Sequence, residues 1–222
     1  MSRIRKPQKM KELIELTQPY RYLLCVDLEA TCNELPEGLT DEEAKSYPGA
    51  VPVGEMETIE VGAVVVDTWN DDVVVAEFCR FVKPILHPKL TPFCTELTTI
   101  TQDQVDQAEG YEAVSGAMEA FLKPFLADGV MWGSWGAYDL KQLAQDAALH
   151  GCKPMLGDLE HTNLKKWHWK ALSCRAMGLK NAALDLGLLW TGQHHRAISD
   201  AQNLAGVFRK LRAEYLALTV AA

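Results

Sequence analysis

Residues 22–27, Tyr-Leu-Leu-Cys-Val-Asp, form a short unbroken apolar run that ends on an acid. That is the pattern of a strand buried on both faces, and it predicts a central strand. Residues 58–67 and 73–82 are β-branched runs separated by Thr-Trp-Asn-Asp-Asp, which is turn material, so they predict an antiparallel hairpin beside the first strand. Helical spacing of apolar residues begins upstream, in a basic amphipathic segment carrying Leu13, Ile14 and Leu16. It returns after the helix-start signature Thr101-Gln-Asp-Gln104 and predicts a helix over 111–126. A strand over 130–135 and helices over 137–149, 164–177 and 182–189 follow. A final helix over 198–217 aligns Ala201, Leu204, Ala205, Phe208 and Leu211 on one face. Hairpin strands first, then strands alternating with helices, indicate an α/β protein with a mixed sheet covered by helices on both faces.

Between the first strand and the hairpin, residues 31–57 are polar and acidic, with Pro36, Gly38, Pro48, Gly49, Pro52 and Gly54. A loop of this length suits a lid, a substrate guide or a disordered flap. At 222 residues and 48% hydrophobic the chain can bury one sizeable core, and a single domain is expected. The first twenty residues carry Arg3, Arg5, Lys6, Lys9 and Lys11 without an apolar run of signal-peptide length, and no segment has the length and apolarity of a membrane span. The six cysteines, at 25, 32, 79, 94, 152 and 174, lack the close pairing of a zinc or redox motif, so reduced thiols and a cytoplasmic location are expected. A net charge of −8 argues against coating nucleic acid by bulk electrostatics. It is compatible with a carboxylate cluster that holds divalent cations, because the bound ions reverse the local field.

Asp27 and Glu29 lie at the carboxyl end of the first strand, and residues two apart on a strand face the same side. Hard cations such as Mg²⁺ take oxygen ligands of this kind. Asp139 follows Ser134-Trp-Gly-Ala-Tyr at a helix start, where an acid equally complements the helix dipole. His195 and Asp200 occur in His194-His-Arg-Ala-Ile-Ser-Asp200 at the opening of the final helix, where a cap is the plainer explanation. Each signal has an ordinary structural account when taken alone. The set in its order, Asp-x-Glu on a buried strand, Asp after a Trp-Gly turn and His-x4-Asp on the last helix, points to one site.

That arrangement resembles the DnaQ-like (DEDDh) 3′-5′ exonucleases from Tyr22 to about Phe208. It resembles still more closely the branch that includes the Eri-type and KapD-type exonucleases, through Asp27-Leu-Glu-Ala-Thr-Cys32, Thr58-Ile-Glu-Val-Gly-Ala63, Phe93-Cys-Thr-Glu-Leu-Thr-Thr-Ile-Thr-Gln102 and Asn163-Leu-Lys165. The resemblance implies an RNase H-like fold with a five-stranded mixed sheet. It also implies two Mg²⁺ or Mn²⁺ ions on Asp27, Glu29 and Asp200, with Asp139 assisting directly or through water. His195 is then the general base, preferred to His194 because only His195 has the His-x4-Asp spacing. The implied reaction releases nucleoside 5′-monophosphates from single-stranded 3′ ends, RNA favoured over DNA. Leu28 and Thr31 are expected at the terminal base and sugar, Glu60 near the terminal nucleotide, and Phe93 and Leu97 as a stacking or wedge surface. A homodimer is within the range of such relatives.

Two departures from that pattern stand out. The 31–57 loop is longer than the branch leads one to expect, and its Asp41-Glu-Glu43 run would repel phosphate if folded over the cleft. The first twenty residues are also too short for the separate RNA-binding domain of some relatives. Two other readings remain: a DNA-directed proofreading or repair nuclease with the same site, and a binding module that keeps the fold without activity.

Overall fold

The computed structural model describes residues 3–35, 38–40, 42–43, 47 and 50–220. Five strands form one sheet: β1 (Tyr22–Ala30), β2 (Thr58–Asp67), β3 (Val73–Phe81), β4 (Val130–Ser134) and β5 (His161–Asn163), in the spatial order β3-β2-β1-β4-β5. β1 pairs antiparallel with β2 and parallel with β4, and the sheet is extended antiparallel by β3 and parallel by β5. The expected mixed sheet is therefore present, with β1 at its centre. The β2–β3 turn uses left-handed backbone at Asp71 and Asp72, with the Val73 N–H donating to the Asn70 carbonyl at 3.1 Å. Two successive positive φ values match the strand twist, and aspartates tolerate them better than most side chains.

The helices are α1 (Pro7–Thr17), α2 (Pro92–Thr98), α3 (Gln102–Asp106), α4 (Tyr111–Leu122), α5 (Tyr138–His150), α6 (Leu164–Leu172), α7 (Leu179–Asp185) and α8 (Ala197–Val220). Alternation along the strands divides the core in two. Leu23, Cys25, Val64, Val66 and Met131 pack with Leu204, Phe208 and Leu211 of α8, and with Met10 and Leu13 of α1. Leu24, Val26, Leu28, Val61, Ala63, Val65 and Trp132 pack on the opposite face with Tyr111, Val114 and Met118 of α4 and Leu143 of α5. Coverage on both faces explains why β1 and β2 read as continuous apolar runs.

Several helix ends differ from the sequence reading, each for a local reason. The helix expected over 111–126 ends at Leu122, two residues before Pro124, which has no N–H to continue the helical hydrogen-bond ladder. The helix expected over 164–177 ends at Leu172, where Ser173 turns left-handed at φ 55°. The one expected over 182–189 lies earlier, after Gly178, and is followed by Gly187 at φ 76°. β5 has three residues and no sequence pattern of its own.

The 31–57 segment is tied at its base. Thr31 N–H donates to the Glu57 carbonyl at 2.8 Å, and Glu57 N–H donates to Thr31 Oγ1 at 2.9 Å. Part of the expected acidic loop, including Pro36, Glu37, Asp41, 44–46, Pro48 and Gly49, lies outside the described residues. All six cysteines are free thiols. Among the described residues, no helix is long and apolar enough to cross a membrane.

Candidate active site

The face of β1 that carries Leu23 and Cys25 into the α8 core continues, two residues at a time, to Asp27 and Glu29. In the β1–β2 register Asp27 lies opposite Gly62, and Glu29 lies opposite Glu60. Gly62 is what lets α8 come close. A Cβ on Gly62 would lie 2.2 Å from the Ala197 carbonyl carbon, inside any allowed contact, so only a residue without a side chain fits under the start of the helix. That approach brings Asp200, in the first turn of α8, over β1. One ligand oxygen from each of Asp27, Glu29 and Asp200 lies within 4.8 Å of the others.

Glu60 is fully buried and already partnered. Arg196 donates to it through Nε at 3.0 Å and Nη2 at 2.7 Å, and the Ala197 N–H adds a third bond at 2.9 Å. This pair fastens the residues between His195 and α8 to the sheet. Arg196 was not singled out from the sequence, because nothing local links it to an acid 136 positions away. The loop before α8 is also clamped by Asn203, whose side chain accepts from Thr191 N–H at 3.1 Å and donates to the Thr191 carbonyl at 2.8 Å. Held this way, His195 takes a left-handed backbone, φ 60°, a conformation uncommon for a residue with a side chain. The rings of His194 and His195 are 3.9 Å apart, and His194, His195 and Asp200 each offer a ligand atom within 4.8 Å of the other two.

Asp139 enters from the first turn of α5, where the Ser134 hydroxyl and the backbone N–H groups of Leu28 and of Asp139 itself favour its ionised form against the effect of burial. Among the charged neighbours of Asp27, Asp139 has the largest effect.

The cluster resists ionisation. Burial, then the charges of Asp139, Glu29 and Asp200, raise Asp27 well above the usual carboxylate range. Burial first and Asp200 second push Glu29 up to about 8, while burial raises Asp200 to about 7 and Asp139 to about 6. Burial and then Lys180 lower His195, and burial, His195 and Lys180 lower His194. Four acids that repel one another beside two neutral imidazoles are a site that attracts cations. Asp200 Oδ1 is buried with no hydrogen-bond partner among the described residues. A buried carboxylate oxygen without a partner is costly unless a cation meets it, and an all-oxygen donor set suits Mg²⁺ or Mn²⁺. The residues therefore fit a divalent-metal centre.

The chain matches the family described as Exonuclease (RNase_T) over residues 24–208. This chain belongs to the exonuclease family. Within it, the chain is 30% identical over 205 residues to ERI1 exoribonuclease 3 of Homo sapiens, covering 87% of this chain and 54% of that protein. The chain thus spans about half the length of that relative. It is 29% identical over 189 residues to the probable 3′-5′ exonuclease KapD of Bacillus subtilis, covering 84% of this chain and 82% of that one. Among solved structures, the nuclease domain of 3′hExo, a DEDDh family member bound to rAMP, superposes with a TM-score of 0.74 at 25% identity, covering 86% of this chain and 92% of that one. The five-stranded sheet with its flanking helices is the RNase H-like exonuclease fold.

The five residues Asp27, Glu29, Asp139, His195 and Asp200 converge; the other sequence candidates are arranged differently. Leu28 points to the opposite face of β1 and packs in the α4 and α5 core. Thr31 is buried and engaged with Glu57, and Glu60 with Arg196. Phe93 and Leu97 lie one helical turn apart on α2, both part-exposed. α2 is tied to the backbone just beyond Glu29, through Cys94 Sγ to the Ala30 carbonyl at 3.7 Å and Thr91 Oγ1 to the Cys32 carbonyl at 2.6 Å.

Proposed function

We propose that this chain is a single exonuclease domain that removes nucleoside 5′-monophosphates from single-stranded 3′ ends with divalent metal, RNA favoured over DNA. The observation that carries the reading is the convergence of Asp27, Glu29 and Asp200, with an unpartnered buried oxygen on Asp200. In this reading those three hold two Mg²⁺ or Mn²⁺ ions and Asp139 assists. When bound, such ions acidify water and stabilise the departing 3′-oxygen. His195, kept neutral by burial and Lys180, accepts the proton of the attacking water. Its left-handed backbone and the Arg196–Glu60 anchor fix where the imidazole stands, so that little reorganisation accompanies proton transfer.

Phe93 and Leu97 offer an apolar surface for the terminal base, because stacking tolerates every base. Leu28 and Thr31 contribute through their backbone at the end of β1, and Glu60 acts one step removed, by holding Arg196. The preference for RNA is supported by the similarity to ERI1 exoribonuclease 3 and to the nuclease domain of 3′hExo, whose solved structure is bound to rAMP. A cytoplasmic location is supported by six unpaired cysteines. The test is incubation of the protein with matched single-stranded RNA and DNA in Mg²⁺, Mn²⁺ or EDTA. Progressive shortening from the 3′ end in metal, absent in EDTA and in Asp27→Asn, is expected. Degradation that persists in EDTA would rule the mechanism out, and faster turnover of DNA would favour a repair role.

A further inference from the structure

We propose that a basic flank beside the catalytic mouth, running from Lys165 and Lys166 down α6 to Lys170 and on to Arg5 and Lys6, carries the sugar-phosphate backbone of the single strand whose 3′ end is being trimmed. This rests on the exonuclease reading and adds the path that the substrate takes.

The first observation is one of charge. The chain has a net charge of −8, yet between His161 and Leu184 it has five bases and no acid. Among the described residues, none of Lys165, Lys166, Lys170, Arg175 and Lys180 takes part in an ion pair, and neither do Arg5 and Lys6. Their neighbours differ: Arg3 pairs with Asp185 at 3.3 Å, Lys9 with Glu12 at 2.6 Å and Lys11 with Glu15 at 3.6 Å. A cation already held by a carboxylate has less to offer a phosphate, so a run of unpaired cations without an acid among them is a stretch in which an anion is welcome.

The second observation is placement. β5 ends at Asn163, paired with Ser134 at the end of β4, the strand that leads directly into α5 and Asp139. Asn163 caps α6, accepting from the Lys166 N–H at 2.9 Å, so the first turn of this helix stands at the mouth. At the other extreme lies Ala171, in the last turn, whose carbonyl accepts from both the Arg5 and the Lys6 N–H at 2.9 Å. Nine residues at about 1.5 Å each give α6 a length of about 13 Å, enough to accompany a few nucleotides. Lys180 closes the flank on the catalytic side. Its Nζ is 6.0 Å from the Trp190 ring, and that ring meets His194 edge-on at 5.0 Å.

The third observation is aromatic. Trp169 is 37% exposed, an unusual situation for a tryptophan, and Lys170 Nζ lies 5.8 Å from the centre of its ring. Cations that follow the backbone, together with an exposed ring for a base, are the two components of sequence-tolerant single-strand binding. The acid-rich remainder of the surface then directs the strand to this flank and away from other faces.

The experiment compares the wild-type chain with Lys166→Gln/Lys170→Gln, and with the control pair Lys89→Gln/Lys123→Gln, which removes the same charge from other parts of the surface. Three readouts are taken: steady-state trimming of a long single strand in Mg²⁺, hydrolysis of the p-nitrophenyl ester of thymidine 5′-monophosphate, and anisotropy of a labelled strand in EDTA. For the α6 pair, KM for the strand is expected to rise about tenfold at low salt with kcat unchanged. The slope of log affinity against log salt should fall by about 1.4, two phosphate contacts at about 0.7 each. The ester, too small to reach α6, should be hydrolysed as before. An unchanged KM and salt slope, or an equal effect from the control pair, overturns the proposal. If wild type cleaves neither substrate but binds a strand that the α6 pair binds more weakly, the exonuclease reading falls and the flank stands.

Discussion

Two sets of buried carboxylates sit within one fold, and they are treated in opposite ways. Glu57 accepts three backbone N–H groups, from Ile85 at 2.6 Å and from Leu86 and His87 at 2.8 Å. Asp146 accepts from Thr58 Oγ1 at 2.6 Å and Gln142 Nε2 at 3.2 Å, Asp67 pairs with Arg21 at 2.9 Å, and Glu60 pairs with Arg196 at 2.7 Å. These acids hold the structure together. Asp27, Glu29, Asp139 and Asp200 instead crowd one another, three of them less than a tenth exposed, and burial opposes ionisation of all four, with the neighbouring carboxylates adding to it at Asp27 and Glu29. The difference teaches how to tell a structural acid from a functional one. Folding supplies partners for the first and leaves the second for something that arrives later.

The comparison can be broken most sharply at Asp200. Asp200→Asn and Asp27→Asn are each expected to lower metal-dependent turnover by about 10³-fold or more, while the melting temperature holds or rises, since like-charge repulsion is removed. A fall in melting temperature that parallels the loss of turnover would place these acids in the structural set. Next comes the base: His195→Ala should lower kcat by about 10²–10⁴-fold, and His194→Ala by less than about tenfold. Equal losses would remove the distinction between the two rings.

The structural set should respond in the other currency. Glu60→Gln leaves Arg196 half-buried without its counter-charge and is expected to destabilise by about 3–5 kcal/mol in urea unfolding. Gly62→Ala should lose about 1–3 kcal/mol through overpacking against Ala197, and turnover should fall with it because Asp200 is displaced.

The gentlest test is pH. Glu29, Asp200 and Asp139 have folded values raised above the unfolded carboxylate value of about 4, so their contribution is fully present below pH ~4 and is lost as pH rises through about 6 to 8. Asp67, lowered chiefly by its hydrogen bonds from Arg21, behaves in the opposite sense: its contribution is present at neutral pH and lost as pH falls below ~4. The metal-free protein should therefore lose stability between about pH 5 and 8 in thermal unfolding. Mg²⁺ should flatten that decline, and a profile indifferent to Mg²⁺ would separate the acids from the metal.

Much of this was legible along the chain because it depends on short periods. The two-residue alternation that buries Leu23 and Cys25 is the same one that aims Asp27 and Glu29, and the 3.6-residue face of α8 fixes where Asp200 begins. Arg196 and Glu60 were not legible as a pair, since their meeting depends on α8 crossing β2, a tertiary fact without a local sign. Glu60 itself illustrates the limit. Its place opposite Glu29 suggests a neighbour of the substrate, whereas its partners make it an anchor. β5, with three residues, is too short for any periodicity to register.

The close fit of Ala197 over Gly62 also has a meaning in time. A growing chain exposes β1 early, with Asp27 and Glu29 already in place, but Asp200 arrives only with the helix made last among the described elements. Until α8 docks, Asp27 and Glu29 lack Asp200, so the three-carboxylate cluster is completed only when the last of the described elements is in place.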